Sequence, residues 1–284
     1  MDEPTDQVMN HYAEVARKAC READRGVLTG VCASPAGDPC CGDPLSDGEA
    51  LFLYAEETLA GLPAGALVAS RGCGDPVACA SLQPGERVLD LGSGGGIDAF
   101  IAARLVGPEG SVWGLDMTAE MVGLARRNAS AAGVGNVTFL EGSIEHIPLP
   151  AGSVDVVISN CVINLCADKA AAFAEARRVL VPGGRLVVSD IVAFAPISAE
   201  VHDALSMLTG CRNGISEADS YARMVHACGF AHVSIEPKTM YTDEVLDEKA
   251  RRKNLLPVLE RTRDKNVDGL VGSAIVYGSV EEER

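Results

Sequence analysis

Val88-Leu89-Asp90-Leu91-Gly92-Ser93-Gly94-Gly95-Gly96-Ile97-Asp98 is the stretch that decides the fold. Strand-forming residues run into a glycine cluster, and a helix-like segment, Ala99 to Leu105, follows. Glycine lets a backbone turn sharply and approach a ligand closely, and the N–H groups of a helix start point at what is bound there. A strand, a tight turn and a helix N-terminus make a site for a small polar cofactor.

Outward from this stretch the chain alternates. Strands are expected at Arg87–Leu91, Ser111–Asp116, Val137–Glu141, Val154–Asn160 and Arg185–Ile191. Helices are expected at Ile97–Val106, Thr118–Ala132 and Lys169–Leu180, with Pro182-Gly183-Gly184 turning the chain into the last of these strands. Strands separated by helices of this length predict an α/β fold, a doubly wound, mostly parallel sheet. Upstream, Asp6 to Arg25 reads as an amphipathic helix. Residues 26–47 read as a loop holding Cys32, Cys40 and Cys41. Ser46 and Glu49 are spaced as a capping box opening a helix to Leu59, and Gly61 to Ser70 reads as a connector. Downstream, helices are expected at Ser198–Thr209, Glu217–Cys228 and Thr242–Lys253, and strands at Val233–Glu236 and Ser273–Gly278. Three regions follow: residues 1–70, a helical and loop extension; 71–195, the cofactor-binding core; and 196–284, which caps the site and completes the sheet.

The 284 residues are 47% hydrophobic, enough for a sizeable core, but only 4% aromatic, so that core is built from Ala, Val and Leu. A net charge of -16 argues against nucleic acid and anionic membranes as partners. No run approaches the roughly 18 apolar residues of a membrane span, and MDEPTDQV is no signal segment. The expected location is the cytoplasm. Ten cysteines in such a chain need another reading than disulfide staples, and no C-x-x-C pair is present.

The glycine stretch discriminates between cofactors. A dinucleotide fingerprint, G-x-G-x-x-G, begun at Gly92 requires glycine at 97, where Ile97 stands. Read as D-x-G-x-G-x-G, the residues Asp90, Gly92, Gly94 and Gly96 fit throughout, and this is the loop of S-adenosylmethionine methyltransferases. Asp116, followed by Met117, ends the second strand, where a carboxylate accepts ribose hydroxyls. Ser143 and Ile144 follow the third strand on the adenine side. Asn160 ends the fourth, near the methionine part. Ser93 lies within the loop itself.

Three cysteines fall on separate loops at the ligand end of such a sheet: Cys73, flanked by Gly72 and Gly74; Cys161, beside Asn160; and Cys211, in the capping region. Thiolates select soft, thiophilic centres. Structural zinc takes four ligands, often in close sequence pairs. Trivalent arsenic takes three thiolates and keeps a lone pair that can attack a sulfonium methyl in line. Orientation alone can contribute roughly 7–11 kcal/mol to such a step.

The runs SRGCGDP, VLDLGSGGGIDAFIAARLVGPEGSVWGLDMTAEMVGLAR, EGSIEHIPLP, VDVVISNCVINL, RRVLVPGGRLVVSD and GCRNGISEADSYARMVHACGF resemble the microbial arsenite methyltransferase family over about Ser70 to Phe230. That resemblance implies S-adenosyl-L-methionine as methyl donor, with S-adenosylhomocysteine as product. It implies Cys73, Cys161 and Cys211 as arsenite ligands, and a role in arsenic detoxification. It also implies a further N-terminal cysteine, Cys32 or Cys41 ahead of Cys40, closing a disulfide with Cys73 to reduce arsenic after methyl transfer. A thioredoxin- or glutathione-type reductant would then reset the pair. Arsenite and methylated arsenicals are the expected substrates. Two departures stand out: Asp75 replaces the family's usual asparagine after Gly-Cys-Gly, and Tyr12-Ala13 replaces Tyr-Gly. Alternatives on the residues alone are methylation of an organic small molecule, or a non-catalytic metalloid-binding module. His146 is read as shaping the adenine loop, and Cys79, Cys166 and Cys228 as core.

Overall fold

The computed structural model describes residues 3–24, 53–211, 213–262 and 267–282. Its sheet is built from β1 (Arg87–Leu91), β2 (Ser111–Asp116), β3 (Val137–Glu141), β4 (Val154–Asn160), β5 (Leu180–Ala193), β6 (Ser216–Glu217), β7 (Ala231–Met240) and β8 (Val271–Ser279). The order is β3-β2-β1-β4-β5-β8-β7, with the short β6 also on β5. The first five strands pair in parallel, while β8 runs antiparallel to both β5 and β7. Strand order reverses at β1, between β2 and β4, and the crevice beyond its C-terminal end is where a doubly wound sheet binds ligands.

Alternate strand residues serve opposite faces, as the period of two requires. Val88, Val112, Val156, Ile158 and Val187 pack with Phe100 in one core, whereas Leu89, Leu91, Val157, Leu186 and Val188 pack with Phe173 and Tyr221 in the other. The covering helices on the first face are α4 (Pro76–Cys79), α5 (Ile97–Val106) and α6 (Ala119–Ala132). On the second they are α7 (Lys169–Val179) and α9 (Ala218–Ala227).

Two smaller clusters shape the site end. α1 (Glu3–Asp24) lays Ala16 and Ala19 on Val68 and Ala69 of α3 (Ala64–Ala69) and on Met121 and Leu124 of α6. Beyond the end of β5, α8 (Ala199–Thr209), α10 (Asp243–Arg252) and α11 (Leu256–Glu260) gather an apolar cap that includes Cys73 and Cys211. Helix starts follow capping chemistry: Asp75, Asp168, Ser198 and Thr242 each accept a first-turn backbone N–H.

Three expectations change. The connector 61–70 contains α3, too short for a period to show and held by packing of Ala66 and Ala69 behind Gly95. Pro182-Gly183-Gly184 does not precede β5 but lies inside it. Gly183, at φ 77°, absorbs a bulge, while Gly183 N–H and Gly184 C=O still pair with Val280. Finally, the expected helix from Ser46 to Leu59 is helical only at α2 (Glu56–Leu59) within the described residues. Cys32, Cys40 and Cys41 lie outside them.

Candidate active site

The glycine loop turns as its composition requires. Gly92 and Gly96 sit at φ 71° and 96°, and a Cβ on Gly92 would lie 2.1 Å from a methyl of Val162. Glycine there is thus both a conformational and a packing necessity. The carboxylate of Asp116, at the end of β2, ties the loop down. Its Oδ2 accepts the Gly94 N–H at 3.0 Å and its Oδ1 the Thr118 N–H at 2.8 Å.

Asp90, Gly92, Ser93, Gly94, Asp116, Met117, Ser143, Ile144 and Asn160 line one cleft of about 1030 Å³, counting its open mouth. Its far wall is α1, which contributes Thr5, Val8 and Tyr12. Tyr12, of the Tyr12-Ala13 pair that departs from the family's Tyr-Gly, therefore belongs to the cleft.

The donor set suits a cationic, hydroxyl-bearing ligand. Four carboxylates line the cleft, from Asp90, Asp98, Asp116 and Glu145, against one guanidinium, Arg71. The Arg71 guanidinium is itself engaged by the carbonyls of Val68 and Ser70. Burial raises the carboxyls of Asp90 and Asp116, and in Asp90 the charges of Asp98 and Asp116 add to the effect. Among the described residues, Asp90 Oδ2 and Ser93 Oγ are buried and have no hydrogen-bond partner. Such groups are costly unless a ligand's donors and acceptors complete them.

Asn160 joins this cleft to the cysteine loop. Its Oδ1 accepts the Cys73 N–H at 2.9 Å. Its Nδ2 faces Gly74 O at 2.8 Å, the Tyr54 hydroxyl at 3.0 Å and Asp98 Oδ2 at 3.1 Å. Tyr54 in turn donates to Asp98 Oδ1 at 2.8 Å. Burial pushes Asp98 up to about 7, while the hydrogen bonds from Asn160 and Tyr54 pull the other way. The glycines around Cys73 have a steric reason: a Cβ on Gly72 would meet the Asn160 amide at 2.4 Å, and one on Gly74 would meet Ser189 Oγ at 2.3 Å.

Cys73 and Cys161 meet. They are joined as a disulfide with Cα atoms 5.8 Å apart, across 88 residues of sequence. Cys161 follows β4 in the left-handed region, φ 59°, an uncommon conformation for a residue with a side chain. Its N–H bonds Ser189 O at 2.8 Å, and it also lines the cofactor cleft. Cys211 is a free thiol, buried after the left-handed Gly210 that ends α8, in the same apolar cluster as Cys73. Burial, and next the nearby charge of Asp190, pushes its thiol up to about 12.

A buried polar group behind these sulfurs escaped the sequence reading. Asn164 Nδ2 reaches Asp190 Oδ1 at 2.8 Å, Ile191 O at 2.8 Å and Cys211 Sγ at 3.6 Å. Asn164 Oδ1 accepts from Lys169 Nζ at 2.7 Å, and Lys169 also donates to Gly214 O and Ser216 Oγ. Asp190 Oδ2 accepts the Tyr221 hydroxyl at 3.2 Å. Asn164 and Asp190 both lie in quoted motif runs, but which cysteine they serve depends on contacts far apart in sequence. Cys166, read as core, is buried and also lines the cleft.

The strand order, the glycine loop and the acidic residues at the ends of β1 and β2 define a class I methyltransferase fold, whose methyl donor is S-adenosylmethionine. Residues 82–249 match the methyltransferase-domain family. An arsenite methyltransferase from Halobacterium salinarum is 41% identical over 260 residues, 86% of this chain and 65% of that protein. One from Aquipseudomonas alcaligenes is 39% identical over 226 residues, 74% and 64% of the two chains. The solved structure of an arsenic (III) S-adenosylmethionine methyltransferase from Chlamydomonas reinhardtii superposes with a TM-score of 0.59 at 30% identity, covering 87% of this chain and 75% of that one. The chain belongs to the arsenite methyltransferase family. It spans just under two thirds of the length of the two sequence relatives. Among the described residues no helix is long and apolar enough to cross a membrane.

Proposed function

We propose that this chain methylates trivalent arsenic, held by the thiolates of Cys73, Cys161 and Cys211 with its lone pair directed at the cofactor cleft. The observation that carries this reading is the position of Cys161. It lines the cofactor cleft and stands within bonding distance of Cys73, while the Cys211 thiol lies in the same apolar cluster. A dry pocket suits a centre whose bonds to sulfur are to be kept from water.

S-adenosylmethionine supplies an electrophilic sulfonium methyl and leaves as S-adenosylhomocysteine. Asp116 would hold its ribose, Ser143 and Ile144 would border the adenine, and Asp90 with the Gly92-Ser93-Gly94 turn would bind the amino-acid end. Loading needs no dedicated base, because each thiol proton leaves with an arsenic hydroxyl as water. The lone pair carries no proton, so methyl transfer needs none either.

Arsenic is formally oxidised by two electrons when it takes a methyl. Closing a cysteine pair to a disulfide returns them. Cys32 or Cys41 is the proposed partner of Cys73, and a thioredoxin- or glutathione-type thiol the external reductant. The Cys73–Cys161 disulfide is the oxidised form of two of the ligands, so the same reductant is needed before arsenite can bind. In this reading residues 1–70 carry the relay, 71–195 the cofactor site and 196–284 the cap, and the protein acts in the cytoplasm.

The test incubates the protein with arsenite, S-adenosylmethionine and a thiol reductant, and speciates arsenic by mass spectrometry. Methylated arsenic is expected, and serine at Cys73, Cys161 or Cys211 should abolish its formation from inorganic arsenite without loss of cofactor binding. Bound cofactor with only inorganic arsenic recovered would sink the proposal.

A further inference from the structure

We propose that the reduced pocket is also a site for soft divalent cations, cadmium and zinc, held by Cys73, Cys161 and the buried carboxylate of Asp190. The sulfurs of the two cysteines and a carboxylate oxygen of Asp190 all lie within 4.8 Å of one another. A tetrahedral zinc with bonds of about 2.3 Å to sulfur and about 2.0–2.2 Å to oxygen needs its ligands about 3.5–3.8 Å apart. Once the disulfide is reduced, side-chain rotation covers the difference.

Asp190 is built as a ligand rather than as a surface charge. It is 0% exposed, and its Oδ1 is fixed by Asn164 and by the Ile191 N–H at 2.9 Å. Its Oδ2 accepts from the Tyr221 hydroxyl at 3.2 Å, which leaves lone-pair capacity. Partners of this kind orient a metal-binding carboxylate. Charge also favours this set. Two thiolates and one carboxylate around a dication leave a net charge of -1, and the Lys169 ammonium lies two hydrogen bonds away, through Asn164. Recruiting the Cys211 thiolate as well would bury a second uncompensated negative charge.

Arsenite and these cations therefore share Cys73 and Cys161 and differ in the third ligand. Trivalent arsenic takes three thiolates and no carboxylate, so it needs Cys211 and not Asp190. A tetrahedral dication, with a water as its fourth ligand, needs Asp190 and not Cys211. The arsenite half rests on the function proposed above; the cation half requires only the reduced pocket.

The experiment uses the full chain carrying Cys32→Ser, Cys40→Ser and Cys41→Ser to silence the vicinal thiols, reduced with a phosphine. Cadmium chloride is titrated and the thiolate-to-cadmium charge-transfer absorption followed. Arsenite binding is measured in parallel, and S-adenosylmethionine binding serves as the check of folding. Asp190→Asn is expected to lower cadmium affinity by more than the roughly 10–100-fold typical of an outer partner, with no fall in arsenite affinity, because losing the Asp190 charge favours the Cys211 thiolate. Cys211→Ser is expected to do the reverse. Cadmium affinity retained in Asp190→Asn overturns the proposal. Should that variant fail to bind the cofactor, X-ray absorption of the cadmium complex of the parent chain decides: two sulfur ligands uphold the set, and three or four overturn it. If arsenite binding survives Cys211→Ser together with cadmium binding, the arsenic ligand set is wrong and the cation site stands; loss of cadmium binding in Cys211→Ser overturns the cation site.

Discussion

Asn160→Ala removes one amide that holds two backbone groups of the cysteine loop. The Cys73 N–H loses its acceptor at 2.9 Å and the Gly74 carbonyl its donor at 2.8 Å. Tyr54 still donates to Asp98 Oδ1 at 2.8 Å while Asp98 Oδ2 loses its Asn160 contact, so the two backbone groups set the least cost. Each buried unsatisfied group costs about 1–3 kcal/mol. Asn160 borders the open cleft, and entering water brings the sum toward the lower end, about 2–4 kcal/mol. For a chain of this size that corresponds to a fall in Tm of roughly 4–16 °C. The assay is denaturant unfolding of the reduced protein without cofactor, with unchanged m-value, together with the maleimide reactivity of Cys73, which should rise as its loop is released. A loss below about 0.5 kcal/mol with unchanged Cys73 reactivity would refute the idea that this amide anchors the loop.

Further expectations follow from single contacts. Burial raises the Asp98 carboxyl from its ordinary 3.8 to about 7 in the folded chain. The folded state therefore binds the extra proton, and stability of the cofactor-free protein should fall as pH rises from about 4 to about 7; Asp98→Asn should flatten that slope in denaturation curves, and an unchanged slope would assign it elsewhere. Gly92→Ala should abolish cofactor binding by calorimetry, because its Cβ would overlap Val162 at a positive φ. Gly123→Ala, inside α6 and 3.8 Å from the flexible end of Arg127, should instead stabilise the protein by about 0.5–1 kcal/mol. Replacing Ser189 by glycine should make Gly74→Ala tolerable, since Ser189 Oγ is what the new methyl would strike; equal stability of Gly74→Ala with and without Ser189→Gly would argue against a steric cause.

The sequence by itself determined the parallel sheet, the helices that cross between its strands and the cofactor loop. These are local signals: a period of two or 3.6, a cap such as Asp168 or Ser198, and glycines where Gly92 and Gly96 take positive φ. Their place on loops at the ligand end of the strands, together with the family resemblance, also singled out Cys73, Cys161 and Cys211. Local signals could not show α3, whose six residues are helical because they pack behind the glycine loop, nor that α1 walls the cleft with Tyr12. They could not show that Asn160 serves the cysteine loop as well as the cofactor end, because its partners Tyr54, Gly74 and Asp98 lie 62 or more residues away from it along the chain. Nor could they show that Asp190 stands beside Cys73 and Cys161. A residue's period or cap is decided within a turn or two of backbone. What shares a pocket with it is decided by how the sheet folds distant segments together, and only the tertiary structure carries that.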